Sequence, residues 1–216
     1  MKITVFGATG GVGREVVRQA LTAGHDVTAV VRDPARLGVP AHDRLEVAVV
    51  PDLTDAEALV PLLAGREAVI SALGAGTNKQ AKRSPVTGPA VRAILAAMDR
   101  ADVSRLAVVS AAPVGPDVPS DGVIARKVLL PVLRWFLSDL YADLAVMETA
   151  IGASRARWTV IRPPRLLNKP RTGNYRRVIG ANVPDARTIS RADVADALLV
   201  TLTDPDTTRQ AVGIAS

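Results

Sequence analysis

Ile3-Thr4-Val5-Phe6-Gly7-Ala8-Thr9-Gly10-Gly11-Val12-Gly13 is the stretch of this chain whose reading decides its fold. A short β-branched run ends in glycines at 7, 10 and 13, and an amphipathic segment from Val12 to Ala23 follows. Strand, glycine turn and helix in that order form a G-x-x-G-x-x-G variant of the dinucleotide fingerprint. The glycines allow the tight turn, the approach of backbone to a pyrophosphate and close packing of the helix. The helix start then offers N–H groups and a partial positive charge to phosphate. Gly7, Thr9, Gly10, Gly11, Val12 and Gly13 are therefore candidate cofactor-binding residues. A glycine triplet also marks any tight turn, so its setting between strand and helix carries the weight.

The same rhythm continues outward. Val27 to Val31 and Leu45 to Val50 read as the next strands, as in a parallel sheet covered on both faces. Thr54-Asp55-Ala56-Glu57 reads as a capping box, its hydroxyl and carboxylate satisfying N–H groups at a helix start, with that helix ending near Ala64 at Gly65. Further strands are expected at Ala68 to Ala72, Leu106 to Ser110 and Trp158 to Arg162. Helices are expected near Pro89 to Arg100, Val123 to Ser138, Leu140 to Ala153 and Arg191 to Leu202. Three Gly- and Pro-rich loops, Leu73 to Gly88, Ala111 to Asp121 and Pro163 to Asn174, each follow a strand, at the edge where open α/β sheets bind ligands. The expectation is one α/β domain over residues 1–216: a Rossmann-like doubly wound parallel sheet with a small C-terminal cap on the substrate side.

Composition narrows the chemistry. The chain has 216 residues, 48% hydrophobic and 22% charged, enough for a core that buries roughly 70% of the unfolded surface. With no cysteine, disulfides, thiolate metal sites, iron-sulfur clusters and cysteine nucleophiles are excluded, and a cytoplasmic location is expected. No export signal is read in MKITVFGATGG, and Val128 to Leu140 is interrupted by Pro131, Arg134 and Asp139, so no membrane span is expected. The net charge of +6 comes from scattered residues with only 3% aromatics, which does not suit nucleic acid and leaves arginines for an anionic small molecule.

The second strand ends Val30-Val31-Arg32, with Arg36 four residues on and Thr9 able to add a hydroxyl. Arginines here accommodate a 2′-phosphate, which favours NADP(H), whereas Asp33 keeps NAD(H) open as the second choice. Asp52 and Leu53 follow the third strand, at an adenine edge or as ordinary turn residues. Leu73 and Gly74 follow the fourth, where a ribose lies against backbone or where the loop is simply flexible.

These residues resemble the short-chain dehydrogenase/reductase superfamily, in its atypical NAD(P)H-binding branch related to biliverdin IXβ/flavin reductases. The resemblance rests on GATGGVG (Gly7 to Gly13), VRDPARL (Val31 to Leu37), VVSAAP (Val108 to Pro113), YADLAVMETAI (Tyr141 to Ile151), WTVIRPPRL (Trp158 to Leu166), TGNYR (Thr172 to Arg176) and ISRADVADALL (Ile189 to Leu199). It implies that Thr9, Arg32 and Arg36 meet the 2′-phosphate, and that Ser110, Pro163 and Pro164 border the nicotinamide beneath a substrate pocket. Ala111 stands where the branch has a serine and Arg165 where it has a histidine, which counts against biliverdin as substrate.

The superfamily's proton donor is a Tyr with a Lys four residues on. Tyr141 is followed at that spacing by Ala145 and Tyr175 by Ile179. Without a placed acid, a simple ketone loses the roughly 10²- to 10⁴-fold that general acid catalysis supplies. Flavins and quinones spread the incoming charge and need position above all, which leaves Ser110 as the candidate catalytic residue. Asp143 and Glu148, five apart on a helix, read as a solvated face or an ion pair with Arg. His25 and His42 assemble no metal site, and Trp135 and Phe136 suit core packing better than a pocket wall or partner surface. The expected function is an NADPH-dependent oxidoreductase for a small conjugated hydride acceptor, acting as a monomer or small homo-oligomer; the alternative is a non-catalytic NADP(H) sensor.

Overall fold

The computed structural model describes residues 1–74, 87–115 and 138–216. Most of the expected helix from Val123 to Ser138, including Trp135 and Phe136, lies outside these residues, as does much of the first two glycine- and proline-rich loops. The elements run β1 (Lys2–Phe6), α1 (Gly11–Thr22), β2 (Asp26–Val31), β3 (Leu45–Val49), α2 (Ala56–Leu63), β4 (Ala68–Ser71), α3 (Thr87–Arg100) and β5 (Arg105–Val109). They continue with α4 (Ser138–Ala153), β6 (Arg157–Arg162), β7 (Arg165–Leu167), β8 (Arg176–Ile179), β9 (Thr188–Ser190), α5 (Arg191–Thr201) and β10 (Gln210–Ala215).

Eight strands form one sheet in the order β3-β2-β1-β4-β5-β6-β10-β8, parallel except for the β8 edge, which runs antiparallel to β10. Strand order reverses between β1 and β4, so the crevice above their carboxyl ends is the topological switch point of a Rossmann-like sheet. Alternation along β1 explains the layers. Ile3 and Val5 join the core under α1 and α5, whereas Phe6 joins the core on the opposite face, under α2, α3 and α4. On α1, Val12, Val16, Val17, Ala20 and Leu21 recur at helical spacing and form the buried stripe.

Helix starts correct one expectation. The cap of α2 is Asp55, whose carboxylate accepts from the Glu57 and Ala58 N–H groups, and not Thr54. Asp52 takes both the N–H and the hydroxyl of Thr54, at 2.8 and 2.7 Å, so that hydroxyl is committed one turn earlier. Asp143, buried on α4, reaches across to accept from the Thr87 and Gly88 N–H groups at the start of α3. Glu148 takes the ion-pair role, meeting Arg162 at 2.5 Å with both side chains 13% exposed.

The C-terminal third is more ordered than the sequence reading holds. Pro163 to Asn174 is expected as a loop, yet it contains β7, which pairs with β9 as a separate two-stranded parallel sheet, and β8 and β10 extend the main sheet. At the opposite, amino edge, the nearly buried Arg105 donates to Leu202, Thr201 and Arg157 carbonyls and to Thr159 Oγ1. It tethers the end of α5, and burial lowers its pKa to about 10. Among the described residues no helix is long and apolar enough to cross a membrane.

Candidate cofactor site

The glycine loop leaves β1 at the switch point. Gly7 has φ +73°, and a Cβ there would lie 2.6 Å from the Ala72 carbonyl group at the end of β4. At Gly13 a Cβ would fall 2.1 Å from the Gly7 oxygen, so α1 packs onto the loop only with glycine at that position. Gly10 differs: the nearest atom to its Cβ would be the Gly7 oxygen at 3.2 Å, which leaves the outer face of the loop open. Gly10 is the N-cap of α1 and supplies no side-chain cap, and the first turn holds no acidic residue. The first N–H groups of α1 thus point from a positively polarised helix end toward the crevice without a capping carboxylate. Backbone able to approach closely and N–H donors free of a side-chain cap are what a pyrophosphate requires, so the residues present fit a dinucleotide.

The flanking candidates arrange around this loop. Arg32 and Arg36 are exposed on the turn after β2, and among the described residues no carboxylate comes within ion-pair distance of either. Asp33 caps that turn, accepting from the Ala35 N–H at 3.1 Å. Asp52 is engaged with Thr54, and these bonds hold its carboxyl below the usual range; Leu53 packs into the core beside it. Leu73 also packs inward, while a Cβ on Gly74 would meet nothing within 4 Å among the described residues.

Ser110 follows β5 directly. Its N–H donates to the Ile161 carbonyl at 2.8 Å, and the Ala112 N–H donates to Pro163 at 2.9 Å, so Ser110 and the Pro163-Pro164 turn are knitted together at the carboxyl edge. The residue is 6% exposed and its hydroxyl has no hydrogen-bond partner among the described residues, unusual for a buried polar group. Tyr175 lies elsewhere: its hydroxyl donates to Asp196 at 2.9 Å, and burial together with that carboxylate raises its pKa far above the usual value. It is unsuited to giving up a proton.

Two groups of residues were not singled out from sequence. Asp193 is fully buried on α5 and accepts from Thr172 N–H, Gly173 N–H, Thr172 Oγ1 and Ser190 Oγ, which pins Thr172 and Gly173 to the start of that helix. Arg191 lies against the glycine loop, where a Cβ on Gly11 would come 2.6 Å from its Cδ, and it donates to Asn168 Oδ1 at 2.6 Å. The Ser-x-x-Asp spacing of Ser190 and Asp193 was a legible cap signal; the reach of Arg191 had none. A surface cleft of about 950 Å³ runs from Gly11 and Arg191 between α1 and α5, beside the switch-point crevice and outside it. Met1 and His25 meet at 3.1 Å, and among the described residues no three His, Asp or Glu side chains converge as a metal site does.

The fold recurs in known proteins. A profile of a family described as NAD(P)H-binding matches residues 7–205. YwnB, an uncharacterized protein of Bacillus subtilis, is 28% identical over 95% of this chain and 94% of its own. A short-chain dehydrogenase/reductase from Veillonella parvula in complex with NADP superposes with a TM-score of 0.77, at 19% identity over 100% of this chain and 94% of that one. ChuY, an anaerobillin reductase from Escherichia coli O157:H7, does so with a TM-score of 0.76, at 21% identity over 100% and 97% of the two chains. At these identities the two structures establish the fold.

Proposed function

The chain belongs to the NAD(P)H-binding family, and from that premise we propose that it is an NADPH-dependent reductase delivering hydride to a flavin, quinone or similar conjugated acceptor. In this reading residues 1–216 form one domain. The N–H groups of Gly10 to Gly13 hold the pyrophosphate, with Gly7 shaping the turn. Thr9, Arg32 and Arg36 take the 2′-phosphate, Asp52 and Leu53 flank the adenine, and Leu73 and Gly74 flank a ribose. Ser110, Pro163 and Pro164 border the nicotinamide, which when bound supplies the hydride. The engagement of Asp33 in capping its own turn supports a phosphate-bearing ribose over a free 2′-hydroxyl.

The observation that carries the choice of acceptor is the Ser110 hydroxyl, buried at the carboxyl edge with no partner among the described residues. An activated acid needs a neighbour to lower its pKa, and none bonds this hydroxyl. Ser110 can accept or donate one hydrogen bond to a ligand and so orient it. Acceptors that delocalise the incoming electron pair, and take their proton from solvent, need no more than that. NADPH consumption measured with FMN, menadione and a simple ketone tests the reading. Turnover with FMN or menadione and little with the ketone is expected. Ketone reduction as the fastest reaction contradicts it, and tight NADPH binding without turnover on any acceptor makes the protein a sensor instead.

A further inference from the structure

Arg14 opens the helix body just after the third glycine, and its side chain turns back rather than out. Its Nε donates to the Leu37 carbonyl at 2.8 Å, and its Nη2 donates to the carbonyls of Arg36 at 3.0 Å and Thr9 at 3.3 Å. One guanidinium therefore joins the loop after β1 to the turn after β2. The ladder between those strands ends at Phe6 and Val30, so it does not reach either segment. Among the described residues, the bonds to Leu37 and Arg36 are the two hydrogen bonds that connect residues 7–14 with 32–38, while the bond to Thr9 ties the same guanidinium to the loop after β1. The fit is close: a Cβ on Gly38 would come 3.3 Å from the guanidinium carbon.

We propose that Arg14 is a positioning residue for cofactor selectivity: its planar fork fixes the spacing between Thr9 and Arg36, and with it the pocket for the 2′-phosphate. The inference rests on the NADPH reading above. Thr9 and Arg36 each meet Arg14 through a backbone carbonyl, which leaves the Thr9 hydroxyl and the Arg36 guanidinium for a ligand. Three carbonyls on two segments can be bridged by a rigid fork with several donors. A lysine ammonium at the end of a flexible stem carries the same charge but does not hold that geometry. Losing the brace exposes the 2′-phosphate to a pocket that must be ordered on binding, whereas the pyrophosphate and the rest of NADH rest on the helix start.

Fluorescence titration of NADPH and NADH on wild type, Arg14→Lys, Arg14→Met and Arg36→Ala, with melting temperatures recorded alongside, tests this. Arg14→Met is expected to lose about tenfold in NADPH affinity and Arg14→Lys at least about threefold, with no more than about twofold lost for NADH in either. If Arg14→Lys keeps the wild-type preference, charge alone suffices and the brace is overturned. Equal losses for both cofactors also overturn it, because Arg14 then only supports the fold. A wild type that binds both cofactors equally, or an Arg36→Ala variant that keeps the NADPH preference, brings down the underlying reading, and the inference with it.

Discussion

Arg32 and Arg36 carry charge on an exposed turn with no carboxylate paired to them among the described residues, which leaves both guanidinium forks for an anion. Arg32→Ala is expected to weaken NADPH binding by about 1.5 to 3 kcal/mol, the range of a lost charge-assisted hydrogen bond, and to leave NADH nearly unchanged. Equal losses in paired titrations would show that Arg32 does not read the phosphate. At Ser110 the expected effect is smaller. If the hydroxyl orients a ligand, Ser110→Ala lowers flavin or quinone turnover about tenfold, near 1.4 kcal/mol. A loss beyond about a hundredfold at saturating NADPH, with cofactor affinity intact, would instead make it an essential proton donor. The sequence points to both residues because their types and their places after strands suit one chemistry. It does not point to Arg14 and Arg191, since each acts through carbonyl or glycine contacts made by distant segments.

Helix starts show how function and stability divide between elements. The caps of α2, α3 and α5 are Asp55, Asp143 and Ser190, whereas α1 begins at Gly10 without a side-chain cap. The uncapped donors of α1 are the ones the ligand is proposed to satisfy. Asp193 is a purely internal counterpart. Burial by itself would raise its pKa, but hydrogen bonds from Gly173 and Thr172 N–H and from Ser190 and Thr172 hydroxyls outweigh burial and hold the carboxyl below its usual value. A carboxylate depressed on folding contributes stability above its unfolded pKa of about 4 and loses that contribution as pH falls through the folded value. Asp193→Asn is therefore expected to melt lower at neutral pH, by roughly 1 to 3 kcal/mol, with the gap to wild type closing below about pH 4. A gap of equal size at pH 7 and pH 3 would contradict that account. The first six strands were readable because short apolar, β-branched runs stand out, even in the edge strand β3, where Val47 and Val49 are exposed. The last four were not: β7 and β9 are three residues long, β8 is an exposed edge beginning Arg176-Arg177, and β10 carries Gly213 in its interior. The Thr54 cap failed for a local reason, competition from Asp52.

At the scale of the molecule, the sheet order places every candidate residue on one edge, because each lies in the loop after a parallel strand or at the start of the helix that follows it. That follows from the βαβ rhythm and so was readable before any coordinates. The acceptor was not readable, because no local motif encodes how loops remote in sequence pack into a pocket. The central claim is that the glycine loop of this edge is the cofactor site, and titrating NADPH into wild type and Gly10→Val, with circular dichroism on both, tests it most directly. Among the described residues a Cβ at Gly10 meets only the Gly7 oxygen at 3.2 Å, so the variant is expected to fold, while the branched side chain fills the space the pyrophosphate needs. The account predicts saturable NADPH binding to wild type and none to a folded Gly10→Val protein; a folded variant with wild-type NADPH affinity would contradict it.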